Sequence, residues 1–268
     1  AVLRAAHPAL IVCRVSGYGQ TGPYADRPGF ASVCEAVAGM RSVIGTDAGE
    51  RVRPNLSLGD SLAGLHAAFG ILAALYARDA GQRPGQVVDV AITEAVLAML
   101  EGMVPEAARG VVRQPSGNTI TGVAPTGTWA TADGREVVIG ANGERMFRRL
   151  CQAMGRPELG DDARFEDNPA RVAHRAALDA EIAAWVGGRP YAQVEAALHA
   201  ARVPFGPIQD AADLLADPHF AARGAFETVT VDGQPLPLGA LAPRLADTPG
   251  RTTHAGPALG ADTRAVLA

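Results

Sequence analysis

The pattern that most limits how this chain can fold is the long helical signal that opens at Asp60. Leu62, Leu65, Phe69, Leu72 and Leu75 recur at three- and four-residue spacing to about Asp79, and Gly81 with Pro84-Gly85 then ends the run. Before it, Ala9-Leu10-Ile11-Val12-Cys13-Arg14-Val15 reads as a buried strand, and after it Val87 to Ile92 is apolar and β-branched. A second helical stretch follows from Glu94 to about Ala108. Strand, helix, strand, helix in that order predicts an α/β layer. The hydrophobic fraction is 48%, enough for a buried core, and much of it is alanine, which favours helices.

The intervening segments fit around this frame. Ser16 to Pro23 is a Gly/Pro-rich loop, a short helix is expected over Phe30 to Met40, and Asp47 to Pro54 is polar and loop-like. Arg109 to Gly127 breaks the pattern with Pro115, Gly117, Gly122, Pro125 and Gly127. Trp129 to Thr131 and Val137 to Ile139 flank Asp133-Gly134, a hairpin turn. Helices are expected at about Glu144 to Met154, Ala170 to Val186 and Tyr191 to Ala200, with short elements and a last helix beyond Pro207. The expected organisation is a Rossmann-like α/β domain from residues 1–108 and 206–268, a linker at 109–124, and an inserted smaller α+β domain at 125–205. The first strand lies close to Ala1, which is not a methionine, so an N-terminally truncated chain is expected.

Several classes of function drop out. With 24 basic and 28 acidic residues, the net charge of -4 gives no reason to expect nucleic acid or an anionic membrane as partner. Cys13, Cys34 and Cys151 form no CxxC pair, so neither a disulfide framework nor a zinc site is expected, and a reducing cytoplasm fits. No apolar run reaches the roughly 20 residues that cross a bilayer, and no signal peptide is visible. No metal-ligand spacing, Ser-His-Asp order or GxSxG elbow occurs. His66 lies six residues after Asp60, off its helix face, and reads as a packed or partly exposed histidine. The charges between Asp161 and Arg175 read as a solvated helix face.

Two motifs carry possible chemistry. Gly17-Tyr18-Gly19-Gln20-Thr21-Gly22 matches GxGxxG directly after a strand. A dinucleotide site also needs a helix opening inside that loop, and Pro28-Gly29 would stop one almost at once. A tight loop is the simpler reading. Asp60 stands at the expected start of the long helix, where an aspartate commonly caps free backbone amides. The same position keeps a carboxylate ionised, and Gly59 beside it leaves room for a large reactant. An ionised carboxylate can carry an acyl or phosphoryl group covalently.

Taken together, the segments resemble the class III CoA-transferases, the family of formyl-CoA transferase and carnitine CoA-transferase. The matching stretches are Ser16-Gly-Tyr-Gly-Gln-Thr-Gly-Pro23, Arg27-Pro-Gly-Phe30 with Ala38-Gly-Met40, Leu58-Gly-Asp-Ser61 leading into Gly70-Ile-Leu-Ala-Ala-Leu75, and Gly85-Gln-Val-Val-Asp-Val-Ala91. Asp133-Gly134, Asp217-Pro-His-Phe220 with Ala222-Arg-Gly224, and Ala258-Leu-Gly260 extend the series over nearly the whole chain.

The resemblance implies a CoA-transferase that carries its acyl group on Asp60. It places Gly19, Gln20, Phe30, Gly59, Ile92, Gly122 and Gly127 at the CoA and substrate site. It also implies no cofactor beyond the CoA thioester substrate, an acyl-CoA and a small carboxylic acid as partners, and an interlocked homodimer. The segment Arg53-Pro-Asn-Leu-Ser-Leu-Gly-Asp60 and Gly140-Ala-Asn-Gly143 look nearest to members handling small dicarboxylates such as succinate or malate. The family's glycine-rich shielding loop falls within 117–127, where this chain has Ile120-Thr-Gly-Val-Ala-Pro-Thr-Gly127 rather than consecutive glycines. Racemases of the family, which act on 2-methylacyl-CoA, use a histidine where this chain has Phe30, so that alternative is disfavoured. A truncated remnant without catalysis is the other alternative.

Overall fold

The computed structural model describes residues 2–81 and 83–267. By compactness the chain divides into two units, 1–205 and 206–268.

The first unit opens with α1 (Val2–Ala6) and β1 (Val12–Ser16), followed by α2 (Ala31–Val37), α3 (Leu58–Asp79), β2 (Val87–Ala91), α4 (Ile92–Leu97) and α5 (Met103–Ala107). β1 and β2 pair in parallel, with Val12 opposite Val87 and Ser16 opposite Ala91, and α3 is the crossover between them. Parallel pairing demands such a crossover, so the expected α/β layer is present. The second helical stretch, expected as one helix from Glu94 to Ala108, is two short helices separated near Glu101, whose φ is +50°.

The face that α3 buries is not the one its leucines suggest. Ala63, Ala67 and Ala74 are buried, while Leu65, Phe69, Leu72 and Tyr76 are 66%, 75%, 64% and 75% exposed. The reason is close approach. A Cβ on Gly70 would come within 2.7 Å of Val88 Cγ1, so only a stripe of small residues lets the helix sit against β2. Ala63 and Ala67 join Cys34, Met40, Val90, Ile92, Val96 and Leu100 in one hydrophobic cluster. With 22 residues, α3 is also long and apolar enough by composition to cross a bilayer, which corrects the expectation that no segment is.

The rest of this unit forms a second cluster. β3 (Thr126–Ala130) and β4 (Glu136–Gly140) make the expected antiparallel hairpin, Trp129 facing Val137, with Gly134 at φ +80° in the turn. The alternation buries Gly127, Trp129, Val137 and Ile139. Against it pack α6 (Glu144–Ala153), α8 (Arg175–Gly187) and α9 (Tyr191–Ala201) through Phe147, Leu150, Leu178, Ile182, Val194 and Leu198, with the short α7 (Asn168–Ala173) just before α8. β5 (Phe205–Pro207) is the third strand of this sheet and the chain's way out of the unit. The helix expected over Ala170 to Val186 is broken at His174.

Arg171 corrects the reading of 161–175 as a solvated face. Its side chain is fully buried and donates to the carbonyls of Ala124 (2.9 Å), Asn142 (2.8 Å) and Phe165 (3.0 Å), and to both carboxylate oxygens of Glu144 (2.7 and 3.0 Å). Every donor direction of a planar guanidinium is thereby used, and one side chain joins α7 to the segments before β3 and after β4. Arg148, Asp161 and Arg164 do remain on the surface.

The second unit contains α10 (Ala211–Ala216), α11 (Pro218–Ala222), the hairpin β6 (Phe226–Val231) and β7 (Gln234–Gly239), and α12 (Thr263–Leu267). Asp210 and Asp213 form a reciprocal capping box at α10, and Asp217 caps α11 by accepting from His219 N–H at 2.7 Å.

Candidate active site

The loop after β1 is held at its root. Gly17's carbonyl accepts from the Thr93 N–H (3.2 Å), the Thr93 hydroxyl (3.1 Å) and the Cys34 thiol (3.5 Å). Gly17 and Gly29 abut so closely that a Cβ on Gly17 would lie 3.1 Å from Gly29 Cα. Gly19 and Gly22 have φ of +85° and +88°, left-handed values that favour glycine. Gln20 N–H donates to Asp89 Oδ2 at 3.0 Å, fixing the loop to β2. The next helix starts only at Ala31, so the GxGxxG lookalike lacks the helix N-terminus that a dinucleotide phosphate requires.

Asp60 is exposed in the first turn of α3, but it does not open the helix: Ser57 is the N-cap residue and Asp60 stands three positions inside. Ser57 makes no side-chain cap bond. Instead Glu35, fully buried on α2, accepts the Gly59 N–H on Oε1 at 3.0 Å. The capping role considered for Asp60 therefore falls to another residue. Packing at Gly59 is tight: an added Cβ would meet Ile92 Cγ2 at 3.1 Å and both Ala31 O and Glu35 Cγ at 3.4 Å. Gly59, Ile92 and the start of α2 thus converge beside Asp60. Phe30, immediately before α2, is extended and 82% exposed.

Cys34 lies in the same neighbourhood. Burial pushes its thiol pKa up, and the charges of Asp60 and Glu35 push it further, so it stays a neutral thiol and a poor nucleophile. His66 is turned back onto its own helix, its Nδ1 2.8 Å from the Leu62 carbonyl. Among the described residues no group of three or more His, Cys, Asp or Glu side chains could hold a metal ion.

Gly122 and Gly127 make their contacts elsewhere. The Gly122 carbonyl accepts from Asn168 Nδ2 at 2.8 Å, and Arg175 donates to the carbonyls of Ile120 and Val123, so the segment is fastened to α7 and α8. Gly127 and Trp129 line a cavity of about 890 Å³ with Thr46, Asp47, Asn118 and Asp179. Asp60 is not part of that lining. Size alone would favour the cavity as the site. The exposed, uncommitted carboxylate in a built helix N-terminus is the better basis for acyl chemistry. Glu35 escaped the sequence reading; its one signal was an acidic residue inside the apolar run Ser32-Val-Cys-Glu-Ala-Val37.

Residues 1–263 match the family model described as CoA-transferase family III. The chain is 45% identical over 268 residues to succinyl-CoA–D-citramalate CoA-transferase of Chloroflexus aurantiacus, covering 99% of this chain and 66% of that protein. It is 39% identical over 269 residues to the alpha subunit of a succinyl-CoA–L-malate CoA-transferase from the same organism, covering 99% of this chain and 63% of that one. The chain thus spans slightly less than two thirds of the length of these relatives. Among solved structures, a CaiB/BaiF family protein from Brucella suis superposes with a TM-score of 0.80 at 31% identity, over 99% of this chain and 69% of the other.

Proposed function

We propose that this chain, which belongs to CoA-transferase family III, moves coenzyme A from an acyl-CoA to a small dicarboxylic acid through a covalent intermediate on Asp60. The observation that carries the reading is the state of Asp60: exposed, in the first turn of a 22-residue helix, with the cap supplied by Glu35 instead. The named activities of the similar proteins, on citramalate and malate, support the dicarboxylate class.

In this mechanism an Asp60 oxygen attacks the acyl-CoA carbonyl, and the thioester C–S bond breaks to give a mixed anhydride and CoA thiolate. The thiolate then attacks the aspartyl carbonyl, releasing the first acid as its carboxylate and leaving an aspartyl thioester. An acceptor carboxylate attacks that thioester and displaces the thiolate, forming a second anhydride with Asp60. The thiolate adds to the acceptor's carbonyl, and Asp60 leaves as a free carboxylate. No proton needs to move, so no general base is required, in keeping with the absence of a histidine beside Asp60 among the described side-chain contacts. An aspartate carboxylate can itself be the nucleophile that carries the acyl group. The N-terminal end of α3 favours the negative charge that develops there.

Phe30 cannot exchange a proton, so the racemase alternative has no residue to support it. The free cysteines fit a cytoplasmic setting. An interlocked homodimer is the assembly we propose, and the exposed Leu65, Phe69, Leu72 and Tyr76 stripe is apolar surface that an assembly could cover; sedimentation showing only monomer at micromolar concentration would count against it. The transferase reading is tested by Asp60→Ala, expected to abolish transfer while the fold is retained. Trapping with hydroxylamine should mark Asp60 in the unmodified protein. An adduct on another carboxylate, or retained turnover, would refute the assignment, and no transfer by any form would favour a non-catalytic role.

A further inference from the structure

We infer that Glu35 is the positioning residue for Asp60: by accepting the Gly59 N–H from a neighbouring helix it caps the catalytic helix and fixes the backbone that carries the Asp60 carboxylate. This rests on the reading of Asp60 as the acyl carrier. The sequence Ser57-Leu58-Gly59-Asp60 has the frame of a capping box, with a hydroxyl residue at the N-cap and an acid three positions on. A closed box would tie the Asp60 carboxylate to the Ser57 N–H, where it could not attack a thioester. The structure leaves that box open, since Ser57 makes no side-chain cap bond.

What replaces the box is built into the core. Glu35 is fully buried, one oxygen takes the Gly59 N–H at 3.0 Å, and the other oxygen has no hydrogen-bond partner. A buried carboxylate with an unpaired oxygen is costly, and an apolar residue at this position would carry no such cost. Its retention is explained by the bond to Gly59. Glycine at 59 lets the helix start pack closely there, since a Cβ would meet Ile92 Cγ2 at 3.1 Å, with Glu35 Cγ and Ala31 O touching it at 3.4 Å. The charges of Glu35 and Asp60 both reach Cys34, consistent with the two carboxylates sharing one small region. Glu35 does not touch the reacting atoms; it acts through the Gly59 peptide.

The test compares Glu35→Gln, which keeps the acceptor oxygen, with Glu35→Met, which fills the space without one. Glu35→Met should lower kcat about ten- to a hundredfold, the range expected for a misplaced reacting group, with the donor KM within about threefold of the parent. Glu35→Gln should keep at least roughly a third of kcat. Amide exchange at Gly59, read without reference to activity, should quicken about tenfold or more in Glu35→Met and stay near parental in Glu35→Gln, as loss of one buried bond implies. Unchanged kcat in Glu35→Met, or an equal fall in both variants, would overturn the proposal. If hydroxylamine fails to trap Asp60 in the parent, the transferase reading is what has failed. Glu35 is then judged on exchange, and unchanged Gly59 exchange in Glu35→Met overturns it.

Discussion

Replacing Arg171 with methionine separates two ways in which a buried arginine could stabilise this fold. The guanidinium is fully buried and holds three backbone carbonyls, those of Ala124, Asn142 and Phe165, besides Glu144. Each buried carbonyl left without a donor costs about 1–3 kcal/mol, and water entering the gap recovers part of that. The expected loss is therefore about 3–5 kcal/mol, the range for breaking a buried charged network. The ion pair itself contributes little of this, because the Glu144 side chain is 57% exposed and its charge is screened. Glu144→Gln, which keeps an acceptor oxygen, should then cost only about 1 kcal/mol or less. Urea unfolding of the parent and both variants gives the comparison directly. Acid adds a second check. The hydrogen bond from Arg171 holds the Glu144 carboxyl below its usual value of 4.5. That contribution is complete above pH 4.5 and fades as pH falls through the lower folded value, so the gap between parent and Glu144→Gln should narrow in acid. A loss below about 1.5 kcal/mol in Arg171→Met, or an equal loss in Glu144→Gln, would refute the carbonyl-clamp reasoning.

Gly85→Ala should destabilise the first unit by about 3 kcal/mol in the same assay, since its Cβ would collide with Leu10 O and lie 2.7 Å from Pro8 O, both backbone atoms that cannot swing aside. A loss under about 1 kcal/mol would contradict the close approach of Gly85 to the segment before β1. Asp179→Asn should raise the melting temperature at neutral pH. Burial pushes the Asp179 carboxyl pKa up, more than Arg175 lowers it, so the charged form is held at a deficit that disappears as pH falls below the raised value. The gain should therefore vanish in acid, and a variant that melts lower at pH 7 would contradict it.

Much of this was legible because periodicity and turn chemistry agree locally. The Asp133-Gly134 hairpin and the helix from Tyr191 appeared where alternation and spacing put them. What escaped depends on contacts distant in sequence. The buried face of α3 is not legible from hydropathy, which counts the size of side chains, whereas Gly70 against Val88 needs their absence. Arg171 looked like one more surface charge until carbonyls from three separate segments met it. Asp60, the proposed acyl carrier, is singled out by its motif, but Glu35, 24 residues before the amide it binds, gives no local sign of that bond. The break near Glu101 likewise follows from a left-handed backbone that no proline announces.

The carbonyl of Gly17, with its three donors, divides the loop after β1 into parts with different freedom to change. At the root, Thr93 and Cys34 share one acceptor, so a substitution at either disturbs the other's bond and the two positions are constrained to drift together. At the tip, Thr21 is exposed and can change, while Gly22 beside it is held to glycine by its φ of +88°. Descendants of this sequence can thus try new residues at the exposed tip while the root keeps the loop in register. The loop is inheritable as a fixed stem with an editable end.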